Sequence, residues 1–259
     1  MTGAAVSAGG SDAGERLVHA YRIRFDEATP HDVLRSSVYL AFAQDCAWLH
    51  SESLGFTRAW YAERGLTWLV RAVELSVERD ARAYEEVAVS TEVTAMRRVW
   101  ARRRSEFRAT PEGELLAVAR IDWVMVGDRG LPARIPADLF AAFPGPAVFD
   151  PRRVQPGPEP PSAERLAFTV RPRDLDPMAH VNNTVYLDYL EEAVEAAGNG
   201  ELLRRVPRHF ALEYVAPAPP GARLQSATWP ITGGLAYRLA LDSGDELLRG
   251  ELLVDGRPT

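Results

Sequence analysis

The sequence predicts an α+β protein of two repeated halves, each an antiparallel sheet around one long helix, and three observations carry that prediction. A stretch near the amino terminus recurs 147 positions further on. Each copy places one helical pattern ahead of a series of strand patterns, and a proline-laden segment separates the copies. One helix followed by several strands argues for antiparallel pairing rather than alternating β–α–β units.

The elements follow in order. Residues 1–16 are mostly Gly, Ala and Ser with few large apolar groups, the composition of a disordered tail. The first half, 17–143, opens with a strand over 18–25, turns near Pro30 and continues as a helix over 37–54. Extended patterns follow at 67–79, 86–95, 98–109 and 115–126. The prolines of F-P-G-P-A-V-F-D-P-R-R-V-Q-P-G-P-E-P-P make 144–163 a semi-rigid linker. In the second half, 164–259, strand and helix repeat, with strands at 209–215, 224–230, 236–241 and 247–254. A chain of 259 residues can bury substantial cores. Two such halves would pack as a built-in dimer, so a monomer suffices and a further homodimer stays open.

The duplication is legible residue by residue. Arg24 falls under Arg171, Pro30 under Pro177, and Val38-Tyr39-Leu40 under Val185-Tyr186-Leu187. Ser36-Ser37 lies under the capping pair Asn183-Thr184. The copies part at two chemical positions: Thr29 stands under Asp176, and Val33 under His180.

The second copy therefore holds the stretch richest in chemistry, R-P-R-D-L-D-P-M-A-H-V-N-N-T-V-Y-L-D-Y-L-E-E. Pro177 disfavours the α region for Asp176, so the two carboxylates and the histidine sit in a turn. Asn182, Asn183 and Thr184 are residue types that cap helices. Behind them Tyr186, Leu190, Ala193, Val194 and Ala197 recur at helical spacing, with acidic residues mostly between. An acid and an imidazole thus stand beside the positive end of a helix. Plainer roles exist for each: Asp176 as a turn former, His180 bonded to a carbonyl, Asn182 and Asn183 as caps, and Asp174 paired with Arg171 or Arg173.

Composition excludes several classes. The net charge of −6 disfavours nucleic acid as a partner. All 30 basic residues are arginine, which rules out a lysine Schiff base and a Walker-type phosphate loop. Cys46, the single cysteine, falls on the apolar face of the first helix and reads as a packing residue. The start lacks a signal-peptide pattern, and no run approaches the roughly 20 apolar residues of a membrane span. No metal site is expected, because Asp176 and His180 have no third ligand nearby in sequence. In the basic run M-R-R-V-W-A-R-R-R-S-E-F-R, strand parity puts Arg98, Trp100, Arg102, Arg104 and Arg108 on one face. That face is either solvated or a landing site for an acidic carrier protein or a coenzyme phosphate.

Two sets of motifs resemble a known family. D-L-D-P-M-A-H-V-N-N-T-V-Y-L-D-Y-L-E-E-A resembles the opening of hotdog-fold thioesterases, including the 4-hydroxybenzoyl-CoA type. A-W-Y-A-E-R-G-L-T-W-L-V-R-A-V-E-L-S-V-E-R, E-V-A-V-S-T-E-V and L-A-V-A-R-I-D-W-V-M-V-G-D-R-G-L-P-A-R-I-P resemble the first half of acyl-acyl-carrier-protein thioesterases. Across 17–259 the resemblance implies a tandem hotdog and a thioester hydrolase of fatty-acid metabolism with no cofactor; the expected cytoplasmic location follows instead from the missing signal-peptide and membrane-span patterns. The resemblance makes acyl carrier protein or CoA thioesters the substrate. Asp176 becomes the general base or nucleophile, His180 its partner, and backbone N–H groups around Asn183 the oxyanion donors. It places the acyl tail in a pocket of the first half, where Trp48, Trp60 and Trp68 are candidate lining residues, and it leaves Asn182 near the substrate. This sequence departs from the plant enzymes at Met178, where they carry Asn, and after L-E-Y, where V-A-P-A-P-P-G replaces their later polar residues; Glu213 is a candidate for support. A hotdog dehydratase or hydratase and a non-hydrolytic acyl-thioester binder remain alternatives.

Overall fold

A computed structural model describes residues 16–110, 113–143 and 149–254. Of the tail expected over 1–16, residues 1–15 lie outside the described residues. The chain divides into two compact units, 1–71 with 79–151, and 72–78 with 152–259.

In the first unit, strand β1 (Arg16–Arg22) ladders with β3 (Glu86–Arg97), β3 with β4 (Trp100–Ala109), and β4 with β5 (Leu115–Gly127), all antiparallel. Helix α1 (Ser36–Ser53) lies against β1, β3 and β5. Its Tyr39, Leu40, Ala43 and Cys46 are buried, as are Val87, Val89, Phe107 and Leu116 on the strands. Tyr39 meets Phe107 edge to face at 5.2 Å, an arrangement worth about 1 kcal/mol beyond burial. The expected strand over 18–25 ends at Arg22 because Phe25–Glu27 turns as a 3₁₀ helix. The strand expected over 98–109 starts at Trp100, since Arg98 turns the β3–β4 hairpin at φ 52°. Two short helices, α2 (Arg58–Glu63) and α3 (Ala137–Ala142), have no counterpart in the sequence reading.

Cys46 is fully buried, and its thiol is pushed up to about 12 by that burial. We expect no labelling of the native protein by a thiol reagent at pH 8 and one equivalent after unfolding in guanidinium. Rapid native labelling would place Cys46 at an accessible site instead.

In the second unit, β6 (Glu164–Thr169) pairs with β8 (Arg223–Ile231), β8 with β9 (Gly234–Leu241), β9 with β10 (Glu246–Leu253), and β10 with β7 (Arg208–Tyr214). Helix α4 (Val185–Ala196) lies against β6 and β8 and buries Tyr186, Tyr189, Leu190 and Val194. Gly250 on β10 permits the close approach: a Cβ there would meet Leu212 at 3.0 Å and Leu190 at 3.2 Å. Strand β2 (Leu66–Val77) is divided between the units, because its residues Ala72 to Val77 ladder with Glu213 to Arg208 of β7. The second unit therefore takes chain that lies within the first sequence half.

The proline-rich segment carries no regular structure over 149–163, yet it is pinned. Phe149 stacks on Trp100 at 5.5 Å. The buried Val154 donates its N–H to Glu213 at 3.0 Å, and Arg153 pairs with the same carboxylate at 3.0 Å. Glu213 thus anchors the linker.

Candidate active site

The turn before α4 is built by its own backbone. Asp176 N–H donates to the His180 carbonyl at 2.9 Å, and Ala179 N–H to the Asp176 carbonyl at 2.9 Å. Leu175 and Val181 bridge across the neck, and Ala179 takes the left-handed conformation at φ 59°. Asp176 Oδ1 accepts the Met178 N–H at 2.8 Å, the turn that an Asp side chain favours. The first copy repeats this turn 147 residues earlier. Thr29 N–H donates to Val33 at 2.8 Å, Asp32 N–H to Thr29 at 3.0 Å, Asp32 sits at φ 61°, and His31 N–H reaches Thr29 Oγ1 at 3.3 Å. Asn182 N–H to the Asp174 carbonyl at 2.8 Å is matched by Arg35 N–H to Glu27 at 3.1 Å. Tyr186 accepts the Ala218 N–H at 2.9 Å just as Tyr39 accepts that of Ala81 at 3.0 Å. One scaffold is thus built twice, and at its closing positions the second copy carries Asp176 and His180 where the first carries Thr29 and Val33.

Asp176 and His180 are both half-buried and are joined through backbone. Their side chains make no hydrogen bond to one another among the described residues, so the expected pair is a shared turn rather than a bonded dyad. The Asp176 charge lies close enough to Tyr186 to help raise its hydroxyl, which burial chiefly pushes up to about 12. At the helix start Asn182 is a cap, its Oδ1 accepting the Thr184 N–H at 2.9 Å and the Thr184 hydroxyl at 2.8 Å. The Asn183 carbonyl accepts the buried Tyr214 hydroxyl at 2.8 Å. Neither the Asn183 N–H nor its side-chain amide has a partner among the described residues.

Asp174 is structural. It is 2% exposed and receives the Arg171 N–H at 2.8 Å, the Arg171 guanidinium at 3.1 Å and the Tyr189 hydroxyl at 2.8 Å. Burial pushes this carboxyl up, but those hydrogen bonds outweigh it and hold the carboxyl below its ordinary 3.8. The native state therefore binds fewer protons here than the unfolded chain, so the stabilisation is complete above about pH 4 and is lost as pH falls through the native value. We expect the melting temperature of Asp174→Asn to fall less steeply than wild type between about pH 5 and about pH 2.5. Parallel slopes in a thermal-melt series would remove Asp174 from the acid limb.

A cavity of about 170 Å³ lies in the first unit, lined in part by Trp48, Trp68, Met96, Leu139 and Phe143. Trp60 packs outside it, against Phe56 at 5.0 Å and under the Arg64 guanidinium. Sequence reasoning missed the cavity's polar members, Gln44, Ser51, Tyr61, Thr67, Arg103 and Trp123.

Both halves of the chain match one family. Residues 14–143 fit the acyl-ACP thioesterase N-terminal domain and residues 159–249 its C-terminal domain. The chain belongs to the acyl-ACP thioesterase family. Acyl-[acyl-carrier-protein] hydrolase FATB2, chloroplastic, of Cuphea viscosissima is 27% identical over 221 residues, which cover 79% of this chain and 52% of that relative. The chain thus spans about half the length of the curated relative it matches. The structure of oleoyl thioesterase (putative) from Lactobacillus plantarum superposes with a TM-score of 0.80 at 20% identity, over 94% of this chain and 97% of its own. That of 12:0-ACP thioesterase from Umbellularia californica gives 0.79 at 23% identity, over 95% and 98%. These likenesses establish an antiparallel α+β fold of the hotdog type.

Within this acyl-ACP thioesterase-family chain the expected arginine face is largely spent on carboxylates. Asp122 grips Arg102 at 2.6 and 2.8 Å, and Arg102 also donates to the Asp150 carbonyl at 2.9 Å. Arg104 pairs with Glu106 at 2.5 Å and lies 3.7 Å from Glu92. Arg98 is exposed in the hairpin turn rather than on the strand. The structure thus corrects the shared face: Arg102, Arg104 and Arg108 are on it, Arg98 is not, and all three guanidinium groups on it already have anions, Arg108 through Glu106 at 3.0 Å. Among the described residues no group of three His, Cys, Asp or Glu could hold a metal ion, and no helix is long and apolar enough to cross a membrane.

Proposed function

We propose that this protein hydrolyses acyl thioesters, with acyl carrier protein as the carrier, and that Asp176 supplies the carboxylate. One observation carries the reading: the two copies share a turn almost bond for bond, and at its two closing positions, where the first copy has Thr29 and Val33, the second has the carboxylate of Asp176 and the imidazole of His180. In this reading each half is a hotdog, its sheet wrapped around α1 or α4. The first half holds the acyl group in the cavity lined by Trp48 and Trp68, and the second performs the chemistry.

The steps use this chain's own groups. Asp176 Oδ2, with no hydrogen-bond partner among the described residues, either takes a proton from a water that attacks the thioester carbonyl, or attacks it to form an acyl anhydride that water then hydrolyses; in both routes collapse of the oxyanion breaks the C–S bond and expels the thiolate. Attack leaves negative charge on the carbonyl oxygen. In this reading the free N–H of Asn183, at the positive end of α4, donates a hydrogen bond to that oxyanion. A preorganised donor of this kind is worth about 3 kcal/mol in the transition state. His180 orients the water or protonates the departing thiolate. Asn182 holds the helix start in place, and Asn183 contributes through its backbone.

Thiol release from a panel of acyl-ACP and acyl-CoA thioesters tests the proposal. Turnover with ACP thioesters ahead of their CoA counterparts is the expected result. Tight binding without thiol release would make the protein an acyl-thioester binder, and growth of an enoyl absorbance would make it a dehydratase.

A further inference from the structure

The first-unit cavity has polar groups that an alkyl chain would leave wanting. Tyr61 accepts the Trp68 Nε1–H at 3.2 Å and lies 3.0 Å from Ser51, whose hydroxyl donates to the Phe56 carbonyl at 3.2 Å. Those three side chains satisfy one another. Three others on the wall do not: Gln44 Nε2 and Trp123 Nε1 are buried with no hydrogen-bond partner, and Arg103 meets no carboxylate among the described residues. Its one hydrogen bond runs from Nη1 to Nδ1 of the fully buried His50, at 3.1 Å. Its guanidinium also lies 5.0 Å from the centre of the Phe143 ring.

Arg103 arrives there by strand parity. On β4, Ala101, Ser105, Phe107 and Ala109 are buried, and Arg103 shares their face, opposite Arg102 and Arg104. Burial lowers its guanidinium to about 10, which leaves it a cation at neutral pH. A cation inside a protein is costly without an anion or a full set of acceptors. Arg103 and Trp123 can only donate, and Gln44 Nε2 donates as well. The missing partner is therefore an acceptor.

We propose that this cavity selects an acyl group whose far end carries an oxygen acceptor, a carboxylate or a carbonyl, bound by Arg103, Trp123 and Gln44. The proposal rests on the thioesterase reading for its carrier, but not for the binding itself. A site built to hydrogen-bond its ligand rejects an analogue that lacks the group far more strongly than an apolar pocket rejects a missing methylene.

The test compares adipoyl, 5-oxohexanoyl, hexanoyl and dodecanoyl thioesters on one carrier. In wild type, kcat/KM for adipoyl and 5-oxohexanoyl should exceed that for hexanoyl by about tenfold or more. Arg103→Met should erase the preference, read as the ratio of kcat/KM for the oxygenated thioesters to that for hexanoyl. Trp123→Phe, which removes one N–H and keeps the ring, should narrow it and guards against a misfolded Arg103 variant. Adipoyl leading 5-oxohexanoyl identifies an anion, and the reverse identifies a neutral acceptor. Equal or better turnover of hexanoyl or dodecanoyl by wild type, or an unchanged ratio in folded Arg103→Met, overturns the assignment. Should no thioester be hydrolysed, quenching of tryptophan fluorescence by the same thioesters decides the cavity separately. Selective quenching by the oxygenated pair then supports the pocket although the hydrolase reading has failed.

Discussion

Asp176→Ala is expected to lower kcat for thiol release by about 10²-fold or more, the scale of a positioned acid or base, while the protein stays folded. The first copy shows why the fold should tolerate the loss. There Thr29 caps the same turn through its γ-oxygen, and the backbone bonds that close the turn are retained. Asp176→Thr is therefore the sharper variant. It keeps a side-chain acceptor for the Met178 N–H and removes only the charge and the second oxygen. A similar melting temperature with turnover reduced to the level of Asp176→Ala would assign the effect to the carboxylate. Turnover within a few-fold of wild type in Asp176→Thr would sink the assignment and direct attention to His180. His180→Ala should lose less than Asp176→Ala if the imidazole only orients water.

Glu213→Ala is expected to be the most destabilising single change outside the apolar core, by about 3 kcal/mol. The carboxylate is 3% exposed and stands between the Val154 N–H, Arg153 and, at 3.9 Å, Arg249. Removing it strands the N–H of a residue that is itself 1% exposed. Arg153 is mostly solvated and adds little, since exposed ion pairs are worth under about 1 kcal/mol. Most of the loss should therefore remain when Arg153 is already Ala, and a double-mutant cycle measures this. The melting temperature should fall on the order of 10 °C. Glu213→Gln, which keeps an acceptor for Val154, should recover part of it. A shift under about 2 °C in Glu213→Ala would show that the linker is held by Phe149 and Val154 burial instead.

These two residues also mark how far sequence reading reaches. The turn at Asp176 was legible because its closing bonds span few residues: 176 to 180, 176 to 178, 182 to 184. Helix α1, the hairpin strands and the two-fold repeat were legible for the same reason, since spacing of apolar residues and capping chemistry are local. The sequence offered Glu213 as a candidate support for Asp176 and His180, but its carboxylate holds Arg153 and the N–H of Val154, which is 59 residues away. Arg103 was hidden between two arginines that face the other way, and its signal was parity with Ala101, Ser105 and Phe107 rather than the basic run itself.

Trp48, Trp60 and Trp68 show the same limit from the other side. All three were candidate lining residues, and two line the cavity while Trp60 packs beside Phe56. Composition marks a large aromatic as worth burying, but it does not say on which side of a wall. The sequence by itself determined the α+β class, the repeat, the capped helix and the turn that holds Asp176 and His180. The tertiary structure alone decided the division of β2, the anchoring of the linker on Glu213 and the donor-lined end of the cavity. The first set rests on interactions between near neighbours in the chain, and the second on register and packing between strands distant in it.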